Sequence, residues 1–219
     1  MVDKGHVLKK VLTVGNIISQ KIDRIAFTKE FYEAYGKPQN RGVWLFWGGS
    51  GSGKSVHVMQ VAKEICRILK EKAIHNLCEE ETDDSEYIER VEITGMNEVK
   101  DYYFACSYNY QQMCQYLDKP SSPKIVIIDS ATYFFKDKAQ YMEFVKKYQR
   151  KKIILITGHA EGSKPRSELE KDIMYNAKMK IFTNSYLASC KGRTIGPNGG
   201  SFIIWEEGHK KVYGQQQTT

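Results

Sequence analysis

The sequence predicts an α/β fold: a mainly parallel central sheet flanked by helices, with an antiparallel extension toward the C-terminus. Three observations predict it. Uninterrupted apolar runs of strand length alternate with stretches whose apolar residues recur every three or four positions. A glycine-rich loop, residues 48–55, joins the first such run to the first such helix. Near the C-terminus, two strand-like segments flank the turn-rich Pro197-Asn198-Gly199-Gly200, which suits an antiparallel hairpin.

The elements follow in order. Residues 43–47 (VWLFW) read as a strand buried on both faces. Residues 55–71 carry Met59, Ala62, Ile65, Cys66 and Leu69 at helical spacing, the pattern of an amphipathic helix. Residues 72–77 (KAIHNL) look like a short strand, and the acidic stretch 79–86 like a solvated loop. Residues 125–129 (IVIID) and 153–157 (IILIT) are two further buried strands. Between them, residues 139–151 hold Met142, Val145 and Tyr148 at helical spacing. Strand, helix, strand implies parallel pairing with a right-handed crossover. Residues 186–194 and 201–205 are the arms of the hairpin. Residues 1–40 are expected to pack on or link to this core, residues 41–214 to form the main domain, and residues 215–219 to be a polar, frayed tail.

Composition narrows the class. A chain of 219 residues suffices for one domain with a substantial core. It is 41% hydrophobic and 27% charged, ordinary for a soluble globular protein, and no apolar run is long enough to span a membrane. The first ten residues hold three lysines and no apolar stretch before a small-residue cleavage site, so no signal peptide is read. Five scattered cysteines without a Cys-x-x-Cys pair argue against a zinc module or disulfide framework and for a reducing cytoplasm. The net charge of +7 favours a polyanionic partner, nucleic acid being the commonest.

The loop reads Gly48-Gly49-Ser50-Gly51-Ser52-Gly53-Lys54-Ser55. It fits G-x-x-x-x-G-K-[ST] in full, in the strand–loop–helix setting that motif requires. Triphosphate oxygens need many donors at close range. Glycines let backbone N–H groups turn inward, and the helix that follows adds its unpaired N–H groups and the positive end of its dipole. Lys54 would reach the β- and γ-phosphates, and the Ser55 hydroxyl would ligate Mg²⁺. ATP with Mg²⁺ is the expected ligand pair.

Further carboxylates are expected beside the loop. Asp129 ends a buried strand and suits the Mg²⁺ shell, although an Asp there also suits a helix cap. Glu79, Glu80 and Glu81 follow the strand 72–77, at the carboxyl edge where open parallel sheets bind ligands. Glu79 is the first choice for activating water and Glu80 the second. His159 follows the strand 153–157 and could hydrogen-bond the γ-phosphate.

Taken together, these landmarks resemble the RecA-like P-loop ATPase core, nearest to RadA- and DnaB-type cores and short phage RecA-core recombinases. The resemblance covers roughly residues 40–214. It rests on GGSGSGKS at 48–55, CEEE at 78–81 and KIVIIDS at 124–130. The runs ILITGHAEGSKPRSELEKDIMYNAKMKIF at 154–182 and CKGRTIGPNGGSFIIW at 190–205 complete it. The resemblance implies a Lys-x-Arg pair, here Lys191 and Arg193, that reaches the ATP of a neighbouring subunit, and hence a homo-oligomer, a ring or filament. At i and i+2 on a strand the pair shares one face. It also implies DNA-contacting loops at roughly residues 130–138 and 160–171. The first interleaves Tyr133, Phe134 and Phe135 with Lys136 and Lys138, suited to stacking on bases while gripping phosphates.

A zinc module, a protease-like domain or a helicase collar is not read in these 219 residues. The implied activity is therefore DNA-stimulated ATP hydrolysis on single-stranded DNA in recombination, repair or replication, in a bacterial or phage-infected cytoplasm. A single-strand DNA-binding protein is a candidate partner, and no membrane is involved. Two other classes use the same loop: a nucleotide or small-molecule kinase, which needs an arginine-bearing lid, and an ATP-switched assembly or signalling protein.

Overall fold

The computed structural model describes residues 10–216. Residues 1–9 and 217–219, where most of the leader and tail readings fall, lie outside the described residues. In chain order the elements are α1 (Val14–Ile18), α2 (Lys29–Tyr35), β1 (Gly42–Gly48), α3 (Lys54–Leu69), β2 (Ala73–Leu77), α4 (Ser85–Ile93) and β3 (Tyr103–Cys106). Then come α5 (Tyr110–Leu117), β4 (Ile125–Asp129), α6 (Ala131–Phe134), α7 (Lys138–Tyr148), β5 (Ile153–Glu161), β6 (Lys164–Pro165) and α8 (Glu168–Asn176). The chain closes with β7 (Met179–Asn184), β8 (Leu187–Cys190), β9 (Ser201–Ile203) and α9 (Glu206–Gln216).

The strands form one sheet in the order β3-β2-β4-β5-β1-β7-β8-β9, with β6 paired to β5. From β3 to β7 every neighbour is parallel. β7–β8 and β8–β9 are antiparallel. This is the mixed architecture expected from the apolar runs and the turn-rich spacer.

Strand alternation sends side chains to two core layers. Trp44, Phe46, Ile127, Leu155 and Ile181 pack on the α3 side with Val58, Met59, Ala62 and Ile65. Val43, Leu45, Val126, Ile128, Ile154 and Ile156 pack on the other side with Met113 of α5 and Tyr141, Phe144 and Val145 of α7. Both faces are covered, so the strands between them read as unbroken apolar runs. Ile25, Phe27 and Tyr35 are built into the α3-side layer, where Phe27 meets Trp44 at 6.3 Å and Tyr35 stacks on Phe202 at 6.1 Å. No helix among the described residues is long and apolar enough to cross a membrane.

Several expectations need correction. The strand expected at 153–157 continues to Glu161 and folds back as a hairpin with β6, so His159 lies on the strand and not beyond it. The acidic stretch is only partly loop, since α4 begins at Ser85 behind Asp84. The expected loop 130–138 contains α6, and Phe134 and Phe135 are buried among Tyr110, Tyr141 and Phe144. Of the three aromatics there, only Tyr133 is open to solvent, at 66% exposure. The expected loop 160–171 is largely the β5–β6 hairpin and the start of α8. At the C-terminus α9 runs to Gln216 and takes in the first residues of the expected tail.

Candidate active site

The loop between β1 and α3 sits at the carboxyl edge of the parallel strands, beside the ends of β2, β4 and β5. It is tied to β7 by its own residues. Ser52 Oγ and Thr183 Oγ1 lie 3.0 Å apart, and the Tyr186 N–H donates to the Ser52 carbonyl at 3.2 Å. These bonds hold the loop open toward solvent as a cradle. A Cβ at Gly48 would fall 2.2 Å from Thr183 Oγ1 and 2.5 Å from the Thr183 carbonyl, so only glycine permits β1 and β7 to pair here. Gly53 has a φ of +90°, and a Cβ on it would meet the Tyr186 ring at 3.0 Å. Gly48→Ala is therefore expected to lose about 1–3 kcal/mol of stability through overpacking and to weaken nucleotide binding. Urea unfolding checks it, and an unchanged midpoint would refute the tight-seam reading.

The cradle opens on a cleft of about 390 Å³ lined by residues 49–56, Glu79, Glu80, Arg90, His159 and Tyr186. Its form suits a triphosphate. The N–H groups of the first α3 turn have no partner within the helix, Lys54 begins that helix, and Ser55 follows. A magnesium ion also fits the donors present, a hydroxyl at Ser55 and a nearby ionised carboxylate at Asp129.

Asp129 ends β4 just beneath, its side chain 13% exposed. Burial pushes its carboxyl up. The opposing influences win: the neighbouring His75 imidazole, the Thr157 hydroxyl and the Lys54 ammonium bring it down to about 2. Thr157 on β5 donates to one carboxylate oxygen, and His75 Nε2 stands 3.7 Å from the other. His75 is itself pinned by the Tyr103 hydroxyl at 2.6 Å. Asp129 is thus an oriented anion facing the lysine. Ser130, and not Asp129, occupies the N-cap position of the short α6, so the alternative of a capping Asp fails.

Glu79 follows β2 and accepts a hydrogen bond from the Ser130 hydroxyl. Its Oε1 lies 3.7 Å from His159 Nε2. Both side chains are about one-third exposed and face the cleft. Glu80 also lines the cleft, but it is ion-paired with Arg90. Glu81 turns into an adjoining cleft of about 470 Å³, lined by Asp84, Tyr108, Tyr110 and Tyr133 among others. The structure thus sets Glu79 beside the phosphate loop with no lysine or arginine partner among the described residues, and commits Glu80 to a salt bridge.

Lys191 and Arg193 are not brought to this cleft. They lie just past β8, with N–H groups donating to the carbonyls of Lys180 (2.7 Å) and Lys178 (2.9 Å), so both side chains fall on one face. Arg193 is level with the start of β1, where the Lys178 N–H bonds the Val43 carbonyl. The phosphate loop begins after Gly48, at the other end of that strand.

Arg90, Tyr186, Thr157 and His75 belong to the site and were not foreseen. Arg90 sits in α4, hidden behind an acidic run that reads as loop. Tyr186 holds a positive φ of 59° in the β7–β8 turn, a conformation that an aromatic residue gives no reason to expect. Thr157 and His75 could have been found: a polar residue inside an otherwise apolar buried strand needs a partner.

No protein-family model and no curated protein matches the chain. Solved structures do match in fold. The flagellar accessory protein FlaH of the archaeon Methanocaldococcus jannaschii has 14% identity and a TM-score of 0.57, over 83% of this chain and 92% of that one. A KaiC-like protein of the hyperthermophilic archaeon Pyrococcus horikoshii OT3 has 17% identity and a TM-score of 0.61, over 82% and 98%. At these identities the likeness is one of fold, and the fold is the RecA-like α/β core.

Proposed function

We propose that the chain binds ATP with Mg²⁺ at residues 48–55 and hydrolyses it. The observation that carries this reading is the convergence at one sheet edge of the open glycine cradle, Lys54, the oriented anion Asp129 and the carboxylate Glu79. Lys54 and the first α3 turn hold the phosphate oxygens. Ser55 and Asp129 would hold Mg²⁺, which would supply neutralisation of the triphosphate charge. Glu79, anchored at one oxygen by Ser130, takes a proton from the attacking water. His159 meets the γ-phosphate from the β5 side.

The reading extends to an oligomer, ring or filament, in which Lys191 and Arg193 serve a neighbour's nucleotide. It extends also to single-stranded DNA as the stimulating partner, in recombination, repair or replication within a bacterial or phage-infected cytoplasm, with a single-strand DNA-binding protein alongside. The net charge of +7 and the exposed Tyr133, Lys136, Lys164 and Arg166 support the DNA partner. The burial of Phe134 and Phe135 narrows the stacking surface to Tyr133. ATP turnover with and without single-stranded DNA, read against particle size by light scattering, tests this directly. Stimulation with assembly is the expected result; equal turnover from a monomer in both conditions refutes the DNA-dependent oligomer.

One observation favours a second reading, an ATP-switched assembly protein. The cleft adjoining the phosphate site is walled by Glu79, Glu80, Glu81 and Asp84, which would repel a phosphodiester strand. A flagellar accessory protein shares the fold. Nucleotide-dependent oligomers with negligible turnover would single out this reading. The kinase alternative is less well supported, because the segment that would be its lid is the short β5–β6 hairpin.

A further inference from the structure

Four adjacent parallel strands are each entered through a cation at the same level of the sheet. Lys72 precedes β2, Lys124 precedes β4, Lys152 precedes β5 and Arg41 precedes β1. Backbone bonds show that they share one rung. The Ile125 N–H donates to the Lys72 carbonyl at 3.0 Å, the Ile153 N–H to the Lys124 carbonyl at 3.0 Å, and the Gly42 N–H to the Lys152 carbonyl at 2.9 Å. Neighbouring strands lie about 4.8 Å apart, so the row sets a cation at each such step. One nucleic-acid strand carries its charges at a similar spacing, about 3.4 Å of helix rise. This edge of the sheet is the one opposite the phosphate loop.

Alternation puts Lys72, Lys124 and Lys152 on the face of Ile74, Val126 and Ile154, the α7-side layer. A cleft of about 430 Å³ opens there, lined by Lys124, Lys147, Lys151 and Lys152 beside two acids, Glu71 and Asp118. Asp118 is ion-paired with Lys147 at 2.7 Å. Burial first, and then the charges of Lys124 and Lys151, pull the Lys152 ammonium down to about 8, against Glu71. Lys124 is lowered too, by burial and by Arg41, against Glu71 and Asp23. The acids at this edge thus leave its positive charge uncompensated. Lys152 is fixed, donating to Ser122 Oγ at 2.8 Å and to the Pro123 carbonyl at 2.7 Å. Arg41, Lys72 and Lys151 are exposed. Lysines that end α7 also complement its dipole. That accounts for Lys146 and Lys147, but not for Arg41, Lys72 and Lys124, which stand before three different strands.

At the β3 end of the row the Phe104 ring is 41% exposed, with the Lys72 ammonium over it at 5.7 Å. Single-stranded nucleic acids bind where cations hold phosphates and an open aromatic ring stacks on a base. The carboxyl edge offers the reverse, since Glu79, Glu80, Glu81 and Asp84 wall the cleft beside the phosphate loop.

We propose that the sheet edge opposite the phosphate loop, from Phe104 and Lys72 across Lys124 to Arg41, is a binding surface for a single-stranded nucleic acid. A strand laid across the sheet there sets its phosphates on the row and a base on Phe104. The proposal takes the nature of its ligand from the nucleic-acid reading above and differs from it in place, because Tyr133, Lys136, Lys164 and Arg166 stand at the carboxyl edge. ATP and the strand then occupy opposite edges, and strand binding needs no competent ATP site.

Fluorescence anisotropy of the full-length protein with labelled oligo-dT, without nucleotide and across a salt series, tests this. Arg41→Gln, Lys72→Gln and Lys151→Gln together alter exposed side chains, so the fold should persist, which thermal unfolding checks. The expected result is a loss of at least about tenfold in affinity, and a log–log salt slope shallower by about 2, for three phosphate contacts. Lys136→Gln, Lys164→Gln and Arg166→Gln together make the equal change at the other edge and are expected to bind as the wild type does. So is Lys54→Ala, which separates this result from the fate of the ATP site. Phe104→Ala is expected to weaken oligo-dT at least about fivefold and to leave inorganic polyphosphate unaffected. Wild-type affinity in the first triple variant, or an equal loss in the second, overturns the proposed place and leaves the nucleic-acid reading standing. No binding of oligo-dT by the wild type at low salt overturns both. Polyphosphate competing charge for charge, with Phe104→Ala without effect, marks a general polyanion surface and overturns the assignment to nucleic acid.

Discussion

Lys54→Ala is expected to lower ATP hydrolysis by at least about a hundredfold, the scale of removing one preorganised donor from a developing charge. Lys54 is the first residue of α3, and its ammonium acts on the carboxylate of Asp129. Both positions follow from where β1 ends. The side chain makes no contribution to either apolar layer, so the variant should fold as the wild type does. Its loss should appear in ligand linkage before it appears in stability. With Mg–ATP at about 100 times its dissociation constant, the wild type should gain roughly 2.7 kcal/mol against unfolding, and the variant much less. Thermal unfolding with and without Mg–ATP measures this alongside turnover. Hydrolysis by Lys54→Ala within twofold of wild type would end the reading of residues 48–55 as the phosphate site. Lys54→Arg is expected to lose activity too, because a planar fork does not replace a compact ammonium between two phosphates.

What the sequence could disclose followed from burial. β1, β4 and β5 are covered on both faces, so they stand out as apolar runs, and their order around the phosphate loop gives the parallel core. β3 lies at the sheet edge with Phe104 41% exposed, and β7 breaks its apolar pattern with Lys180 and Asn184. Neither carries the signature of a covered strand, and both went unread as strands. The same logic governs the site. The cradle was legible because its chemistry is backbone chemistry, written in glycines. Asp129 was legible as the polar end of an apolar run. Arg90 was not, because it reaches the cleft from a helix whose start is masked by acidic residues. Phe134 and Phe135 misled for the opposite reason: interleaved with lysines they look like a stacking surface, yet a four-residue helix turns both rings into the α7-side core.

Arg193→Ala is expected to abolish hydrolysis by roughly a thousandfold, the lower end of what an arginine supplied to a phosphoryl transition state contributes, while leaving nucleotide binding intact. In the proposed oligomer the loss would act on another subunit. Arg193 is level with Val43, and the phosphate loop begins beyond Gly48, five residues along the same strand, or about 16 Å at the rise of a β-strand. No rotamer of an arginine spans that length through a packed sheet edge, so Arg193 cannot serve the nucleotide of its own chain. If it serves one at all, the interface is head-to-tail, and sites form between unlike faces. The consequence is quantitative. Lys54→Ala spoils the phosphate face and keeps the arginine face; Arg193→Ala does the reverse. Mixed in equal amounts and allowed to exchange, two inactive proteins should form intact sites at about a quarter of their interfaces, one-half times one-half, for a random head-to-tail assembly. Turnover near a quarter of wild type is the expected result. A mixture as inactive as its components, from subunits shown to exchange, would place Arg193 outside the catalytic interface, and unaltered hydrolysis by Arg193→Ala alone would remove the trans arginine altogether.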